Sequence, residues 1–416
     1  MSLEALIGSL SDDGRGIVER DGKRYLIRYV IPGERVRFSP NGKRRGQQEG
    51  RVEEVIESSP MRTTPRCPHF GVCGGCTVQH ILPSAQVEIK QQRLIEQLAS
   101  VNVTARSVAS PITGPQWGYR RKARLGAKWV VKKEAALVGF RENYSNHIAV
   151  LSRCEVLHPT IGGRLLALRS LVGSLEARTS IAQIEVAVGR DSSALVFRHT
   201  TPLGEKDQHR LIEFAKSHEF SVFVQSGGPE SLLALWPREP PQLTYSLPDF
   251  DLSFEFEPLE FTQVNPQTNE RLVSRVVDWL KPDASDRVLD LFCGLGNFTL
   301  PLARRGAEVV GLEGSDQLVV RARSNARRNN VTGAQFYAVD LNNETASAFW
   351  LAQRWDKVLL DPPRSGAATI IDVLSPRQHR HIVYVSCNPI SFGKHTNNFR
   401  MCMLRHLSDM GFAILL

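Results

Sequence analysis

No run of apolar residues in this 416-residue sequence approaches the roughly 20 that a membrane-spanning helix needs, so none is expected. The first ten residues, followed at once by Asp12 and Asp13, lack the basic start and apolar core of a secretory leader. Cysteine is scarce: seven in the whole chain, an odd number, which argues against a secreted disulfide framework and leaves metal ligation, nucleophilic chemistry or packing. Acid is in the minority, with 43 Asp+Glu against 52 Lys+Arg and a formal net charge of +9, which favours a polyanionic partner. Repeats and low-complexity tracts are absent as well. What remains, 42% hydrophobic and 23% charged residues, is a globular balance with enough length for several cores. A cytoplasmic monomer is expected.

The first 57 residues read as short strands with frequent turns: Ile17–Glu19, Lys23–Ile27, Glu34–Phe38 and Arg51–Ile56, with Asp21-Gly22 as a two-residue hairpin signal. Five short strands in that space fit a small barrel of the OB type, a frequent nucleic-acid platform. Between positions 35 and 51 stand Arg35, Arg37, Lys43, Arg44, Arg45 and Arg51 against one acid, Glu49. Such a tip suits either phosphate binding or a charged, aggregation-resistant edge. After a Pro-rich linker, residues 84–100 carry Val87, Leu94, Ile95 and Leu98 on one helical face. Strand-like segments dominate from Trp117 to about Asn265, and from Asn269 helices alternate with buried strands, which implies βαβ units and a parallel sheet. The expected organisation is a multidomain α/β chain: an OB-like barrel over 1–57, a mixed α+β central domain over 58–262, and a Rossmann-like domain over 263–416.

Cys67-x5-Cys73-x2-Cys76 lies in the Gly-rich turn Gly71-Val-Cys-Gly-Gly-Cys76, a loop that can gather thiolates around one metal centre. A fourth thiolate is needed, and Cys154 is the best placed because the others fall in the later domain. Zinc and a [4Fe–4S] cluster both accept four thiolates, and spacing does not separate them. His69 and His80 flank the loop as further candidates, although flanking histidines are more often surface residues.

Arg287–Phe292 reads as a buried strand, followed by Cys293-Gly-Leu-Gly296-Asn297 and a helix. Gly294 and Gly296 let the backbone approach a ligand, but the third glycine of the dinucleotide fingerprint is replaced by Thr299. Glu313, nineteen residues after Gly294, ends a second strand and can accept from ribose hydroxyls; Asp340 follows a third and suits an adenine amino group. Two glycines with successive strand-end acids describe a nucleoside cofactor without pyrophosphate, and S-adenosylmethionine has that chemistry. Next, Lys357-Val-Leu-Leu-Asp361-Pro-Pro-Arg364 is a strand breaking into a stiff turn, with Asp361 at the sheet's edge. Arg364 stands where amino-group methyltransferases carry an aromatic, which argues against exocyclic amine chemistry. Strand 381–386 then ends at Cys387-Asn388-Pro389. A thiolate there can add to C6 of uracil and make C5 nucleophilic enough to take a methyl group, followed by loss of the C5 proton and expulsion of the thiol. The base must leave its stack, so a single-stranded or flipped uridine is expected. Tyr119 to Lys133 holds Arg120, Arg121, Lys122, Arg124, Lys128, Lys132 and Lys133 without an acid, interleaved with Tyr119 and Trp129. That run suits an RNA-facing strand or a solvated face.

Taken together, the cysteine spacing, Phe261-Thr-Gln263-Val-Asn265, Asp290-Leu-Phe-Cys-Gly-Leu-Gly-Asn297, Asp361-Pro-Pro-Arg-x-Gly366 and Ser386-Cys387-Asn388-Pro389 resemble the RNA uracil-C5 methyltransferase family. Its iron–sulfur branch acting on 23S ribosomal RNA is the nearest in pattern, over residues 1 to about 389. The resemblance implies a TRAM domain for RNA binding over the first 57 residues or so. It implies a [4Fe–4S] cluster on Cys67, Cys73, Cys76 and Cys154, with zinc as the alternative that spacing alone leaves open. It places Gln263, Phe292, Asn297, Glu313, Asp340 and Asp361 on cofactor positions and Cys387 on the nucleophile. After Pro389 the pattern departs: no Glu follows Cys387, and Asp409 is the one carboxylate there. This looks like a frameshift or truncation and raises the expectation of a covalent adduct that releases product poorly. The competing readings are a tRNA uridine-C5 methyltransferase, a non-catalytic RNA-binding protein, and a radical S-adenosylmethionine enzyme. The last is disfavoured because its loop spaces the first two cysteines by three residues rather than five.

Overall fold

The structure is a computed structural model that describes residues 2–11, 13–44, 46–341, 349–374, 379, 381–388 and the backbone of 411–415. The expectations about the segment after Pro389, Asp409 included, lie outside the described residues.

The amino-terminal sheet has six strands: β1 (Leu3–Leu6), β2 (Ser9–Leu10), β3 (Gly16–Arg20), β4 (Lys23–Ile27), β5 (Arg35–Arg44) and β6 (Gln47–Glu57). Their order is β1-β5-β6-β4-β3-β2. The two end strands are joined by Ile7 and Gly8 alone, so Leu6 and Ser9 are about 11 Å apart at most and the sheet must curl until its edges approach. Asp21 and Gly22 both have positive φ, 51° and 68°, and close the β3–β4 hairpin as their types require. The sequence reading differs at the basic tip. The strands read as Glu34–Phe38 and Arg51–Ile56 run on to Arg44 and start back at Gln47, with an irregularity between Pro40 and Lys43. Arg35 pairs with Glu57, and Arg37 with Glu4 and Glu54, so part of that charge is neutralised.

Glu34 fastens this sheet to the adjoining segment. It is fully buried, and its carboxylate accepts from Arg62 Nε (2.6 Å) and Nη2 (2.7 Å) and from the amides of Ile31 (2.8 Å) and Ser59 (3.2 Å). The chain then runs through the cysteine loop into α1 (Pro83–Ser100). That helix bridges two cores: Ala85 packs with Ile31 and Ile81, while Leu98 at its far end joins Leu289, Leu360 and Tyr384.

The central sheet comprises β7 (Lys122–Val130), β8 (Ala135–Gly139), β9 (Ile181–Val188), β10 (Ser193–His199), β11 (Ser221–Gln225) and β12 (Leu232–Trp236), ordered β12-β11-β10-β9-β7-β8. Short α2 (Pro159–Gly162), α3 (Leu165–Ser174) and α4 (Glu205–His218) accompany it. A hairpin, β13 (Leu243–Leu247) and β14 (Leu252–Phe256), leads to α5 (Pro266–Leu280). One apolar core runs from Ala194 and Val196 of β10 through Phe254 and Phe256 to Val273 and Val276 of α5, so packing is continuous across residue 262.

The last sheet is wholly parallel. It consists of β15 (Arg287–Leu291), β16 (Glu308–Glu313), β17 (Ala334–Ala338), β18 (Lys357–Leu360), β19 (His381–Val385) and β20 (Gly411–Leu415), with α6 (Thr299–Arg304), α7 (Asp316–Arg328) and α8 (Ala368–Val373) between them. The order β17-β16-β15-β18-β19-β20 reverses direction at β15, the doubly wound pattern. Val288, Leu289 and Leu291 on β15 and Val358 to Leu360 on β18 are fully buried, as near-continuous apolar runs in such sheets must be. No helix among the described residues is long and apolar enough to cross a membrane.

Burial would raise the Glu34 carboxyl, but Arg62 and the two amides outweigh it and hold it below the ordinary range. Its contribution is therefore complete above the ordinary carboxylate pKa and is lost as pH falls through the depressed native value. The Glu34→Gln variant is expected to lose about 3–5 kcal/mol at neutral pH, as for a broken buried pair. Its stability should also fall less steeply than the parent's below pH ~4.5, measured by denaturant unfolding at several pH values.

Candidate active site and cysteine centre

In a doubly wound sheet, loops leave in opposite directions where the strand order reverses, and the gap opens above the carboxyl ends of the two strands at the reversal. Here those are β15 and β18. Register then brings the sequence-selected residues to one edge. Leu291 pairs with Leu312 and Leu360, and Leu360 with Tyr384. Phe292 therefore follows β15 beside Glu313 and Asp361, Cys387 lies two residues past β19, and Asp340 two past β17. Cys387 is exposed. The turn carrying it is knit by Ser386, whose Oγ donates to Asn388 O (3.0 Å) and accepts from the Asn388 amide (3.1 Å). Asn388 Nδ2 donates to Arg364 O (3.3 Å), which ties the Cys387 turn to the Pro-Pro turn after Asp361.

The glycine loop earns its residue types by conformation. Phe292, Gly294 and Gly296 all have positive φ, 65°, 56° and 93°, and at Phe292 that is a strained setting for a bulky side chain. Glu313 holds the loop: its two oxygens accept from the amides of Gly294 (3.1 Å) and Ser315 (3.1 Å). Under it, Asp290 is fully buried and accepts from Thr299 Oγ1 (2.5 Å). Burial lifts Asp290 to about 7 against the Thr299 bond, with the nearby Asp361 and Glu313 charges adding to the rise. Burial likewise lifts Asp361 to about 7. A crevice with this many carboxyl groups favours a cationic ligand.

Asn297 is held from the protein side. Its Oδ1 accepts from Tyr245 Oη (2.9 Å) and Asn269 Nδ2 (2.9 Å), and its own Nδ2 donates to Asn269 Oδ1 (3.0 Å). That leaves one N–H for anything else. Asn269 and Tyr245 were not legible as site residues. Asn269 lies on the first turns of α5, one turn past Asn265, which caps the helix by accepting from the Thr268 amide (3.2 Å). Tyr245 carried no signal at all. Gln263 comes from outside the parallel sheet, in the loop before α5.

The four selected cysteines do converge. Cys67, Cys73, Cys76 and Cys154 line one cavity of about 60 Å³. Burial raises the thiols of Cys73 (to about 11), Cys76 and Cys154, and each is pushed further by the others in the set. Backbone N–H groups point at the sulfurs, Gly75 donating to Cys73 Sγ (3.4 Å). Among the described residues no group of three or more His, Cys, Asp or Glu is gathered as one metal ion requires. The histidines have other work. His69 Nε2 accepts from the Ser152 amide (3.1 Å) and so ties the loop to the segment carrying Cys154. His80 is buried, contrary to a surface residue, with Nε2 beside Val30 O (3.4 Å). The turn after β4 reaches this centre, Tyr29 Oη donating to Gly71 O (3.2 Å), and from the segment after β8 Asn143 Nδ2 donates to Cys73 O (2.8 Å).

The basic run around β7 is less open than expected. Arg121 and Lys122 donate to backbone carbonyls, Arg124 pairs with Glu185, and Trp129 packs in the core beneath Arg178. Arg124, Lys128, Lys132 and Lys133 remain exposed.

The doubly wound sheet, with acids at its strand ends and a cysteine two residues past its fifth strand, has the form of a nucleoside-cofactor transferase. The model of the family described as tRNA (Uracil-5-)-methyltransferase matches residues 242–403. A relative from Xanthomonas axonopodis pv. citri, 23S rRNA (uracil(1939)-C(5))-methyltransferase RlmD, is 45% identical over 94% of this chain and 89% of its own length. The protein of that name from Alkalilimnicola ehrlichii is 45% identical over 94% and 88%. The crystal structure of Pyrococcus abyssi tRNA (uracil-54, C5)-methyltransferase in complex with S-adenosyl-L-homocysteine shares the fold, with a TM-score of 0.70, 22% identity, and coverage of 95% of this chain and 93% of that one. The chain belongs to the RNA uracil-C5 methyltransferase family.

Removing only the Tyr245 hydroxyl (Tyr245→Phe) leaves Asn297 without one donor. The variant is expected to lose about 1 kcal/mol in denaturant unfolding and to bind S-adenosylhomocysteine several-fold more weakly in calorimetry, roughly the worth of one buried hydrogen bond.

Proposed function

We propose that this chain transfers a methyl group from S-adenosylmethionine to C5 of a single-stranded or flipped uridine in 23S ribosomal RNA. The observation that carries the reading is the exposed thiol of Cys387, held on a knit turn next to the Asp361 turn at the strand reversal. Its relatives at 45% identity are named for that reaction, which favours ribosomal over transfer RNA.

In this reading the Cys387 thiolate adds to C6 of the uracil, and the electron pair moves through C5=C6 to give an enolate. C5 then attacks the sulfonium methyl, forming a carbon–carbon bond and releasing S-adenosylhomocysteine. A base removes the C5 proton, and that electron pair restores the double bond as the thiolate leaves. Glu313 and Asp340 take the adenosine, Phe292 and Asp361 flank it, and Gln263 approaches from the α5 side. The role of Asn297 is positional, through Asn269 and Tyr245.

The residues present fit a [4Fe–4S] cluster on Cys67, Cys73, Cys76 and Cys154. Four thiols line a cavity rather than closing on a point, and N–H donors face the sulfurs, as thiolate-held clusters use. When bound, such a cluster supplies a covalent tie between the Cys67–Cys76 loop and the Cys154 segment. The curled amino-terminal sheet serves as a TRAM-type RNA platform, with the exposed cations of β7 and its following turn as a second contact.

Cys387→Ser is expected to lower methyl transfer to an undermethylated 23S fragment by about 10³-fold or more, with S-adenosylhomocysteine affinity retained. A covalent complex with 5-fluorouridine RNA should form with the parent and vanish in the variant on denaturing gels. Undiminished methylation by the serine variant would overturn the reading, and faster transfer to tRNA than to the 23S fragment would favour the transfer-RNA alternative.

A further inference from the structure

Lys122 belongs to the basic run that the sequence assigns to RNA, yet its ammonium is turned into the protein. Nζ donates to the carbonyls of Pro258 (2.7 Å) and Glu260 (2.7 Å) and lies 5.9 Å from the centre of the Phe256 ring. One residue earlier, the Arg121 amide donates to Val264 O (3.1 Å). The start of β7 therefore grips the loop over 257–264 at three carbonyls. From the opposite side, Arg321 of α7 pairs with Glu257 (2.7 Å) and Glu260 (3.2 Å), while the Glu257 amide donates to Glu260 Oε2 (2.7 Å). This loop pairs with no strand, so these contacts replace the ladder that would otherwise fix its path.

What the loop carries explains why such a grip matters. Phe261 is 70% exposed, Gln263 stands two residues later, and Asn265 caps the helix whose Asn269 bonds Asn297 of the glycine loop. An exposed aromatic ring on an unanchored segment would sample many directions. Anchored on both sides, its direction is set. A linker that merely connected β14 to α5 would need no cation from one sheet and another from a helix of the next.

We propose that Lys122 is a positioning residue for methyl transfer, holding the 257–264 loop so that Gln263 and the ring of Phe261 stand at fixed places beside the cofactor crevice. The proposal rests on the function given above. It makes β7 a dual-purpose strand: Lys122 fixes the loop, while Arg124, two residues on, stays exposed.

The test uses the full-length protein and the variants Lys122→Met, which keeps most of the volume without the donors, and Lys122→Arg, which restores two donors. In hydrogen–deuterium exchange, the peptide over 257–265 is expected to exchange about tenfold faster or more in K122M, with β15 and β18 unchanged. Its kcat/KM on the 23S fragment should fall about 10- to 100-fold, as for a displaced positioning group, and K122R should recover most of the loss in both readouts. Unaltered exchange in K122M, or altered exchange with unaltered kcat/KM, would overturn the proposal. If the parent transfers no methyl group to either RNA, the functional reading fails by itself. Lys122 is then judged on S-adenosylhomocysteine affinity, expected to drop roughly tenfold in K122M and recover in K122R, and an unchanged affinity would count against it.

Discussion

The reversal of strand order between β15 and β18 is the constraint on which the remainder depends. Parallel strands place all their carboxyl ends on one edge, and a crevice opens only where the connections part. Five strand ends can then contribute side chains to one edge of the sheet although they are spread over almost a hundred residues. A one-residue slip of β18 or β19 would turn Asp361 or Cys387 to the other face, because side chains alternate along a strand. The dense apolar packing of β15 and β18 is what prevents that slip, and so the buried core acts directly on the chemistry at its rim.

The crevice is also braced from outside. Helix α1 ends in the core under the parallel sheet while its start packs beneath the cysteine loop, and the β13–β14 hairpin shares a core with the central sheet and α5. Polar struts cross the same boundaries: Glu34 with Arg62, Tyr29 with Gly71, Lys122 with the 257–264 loop, Asn269 with Asn297. Each is buried or half-buried and satisfied on both sides, which is where a hydrogen bond fixes geometry most firmly. The three sheets are thus joined both by shared apolar cores and by polar contacts at their boundaries.

Much of this was legible in the residues, for physical reasons. A parallel strand buried on both faces leaves a near-continuous apolar run, so Arg287–Leu291 and Lys357–Leu360 announced themselves, and the polar residues directly after them were the natural site. The cysteine loop was legible because three thiols so close in sequence have few other uses. Lys122 and Asn297 were harder. Their side chains were expected to face partners outside the protein, and a single sequence does not tell whether a cation meets phosphate or a backbone carbonyl 136 residues away. The strands expected to end at Phe38 and begin at Arg51 extend further, because β5–β6 pairing continues past Pro40-Asn-Gly42 and leaves only an irregularity there. Tyr245 gave no sign, since its partner is set by the packing of a hairpin against a loop far along the chain.

The charges divide into two scales that serve opposite ligands. The chain as a whole is positive, +9, which draws a polyanion from a distance. At the strand ends the sign changes: Glu313, Asp340 and Asp361 follow their strands at the crevice edge, with Asp290 beneath it, and burial resists the ionisation of Asp290 and Asp361. In the proposed reaction a sulfonium entering such a site offers a positive charge to Asp361 and Asp290, the two carboxyls that burial holds at about 7. Methyl transfer removes the charge, because the product is a neutral thioether. The attraction that favoured the donor is therefore weaker for the product, and in the proposed reaction the same carboxyl groups that bind the donor bias the exchange of spent cofactor for fresh.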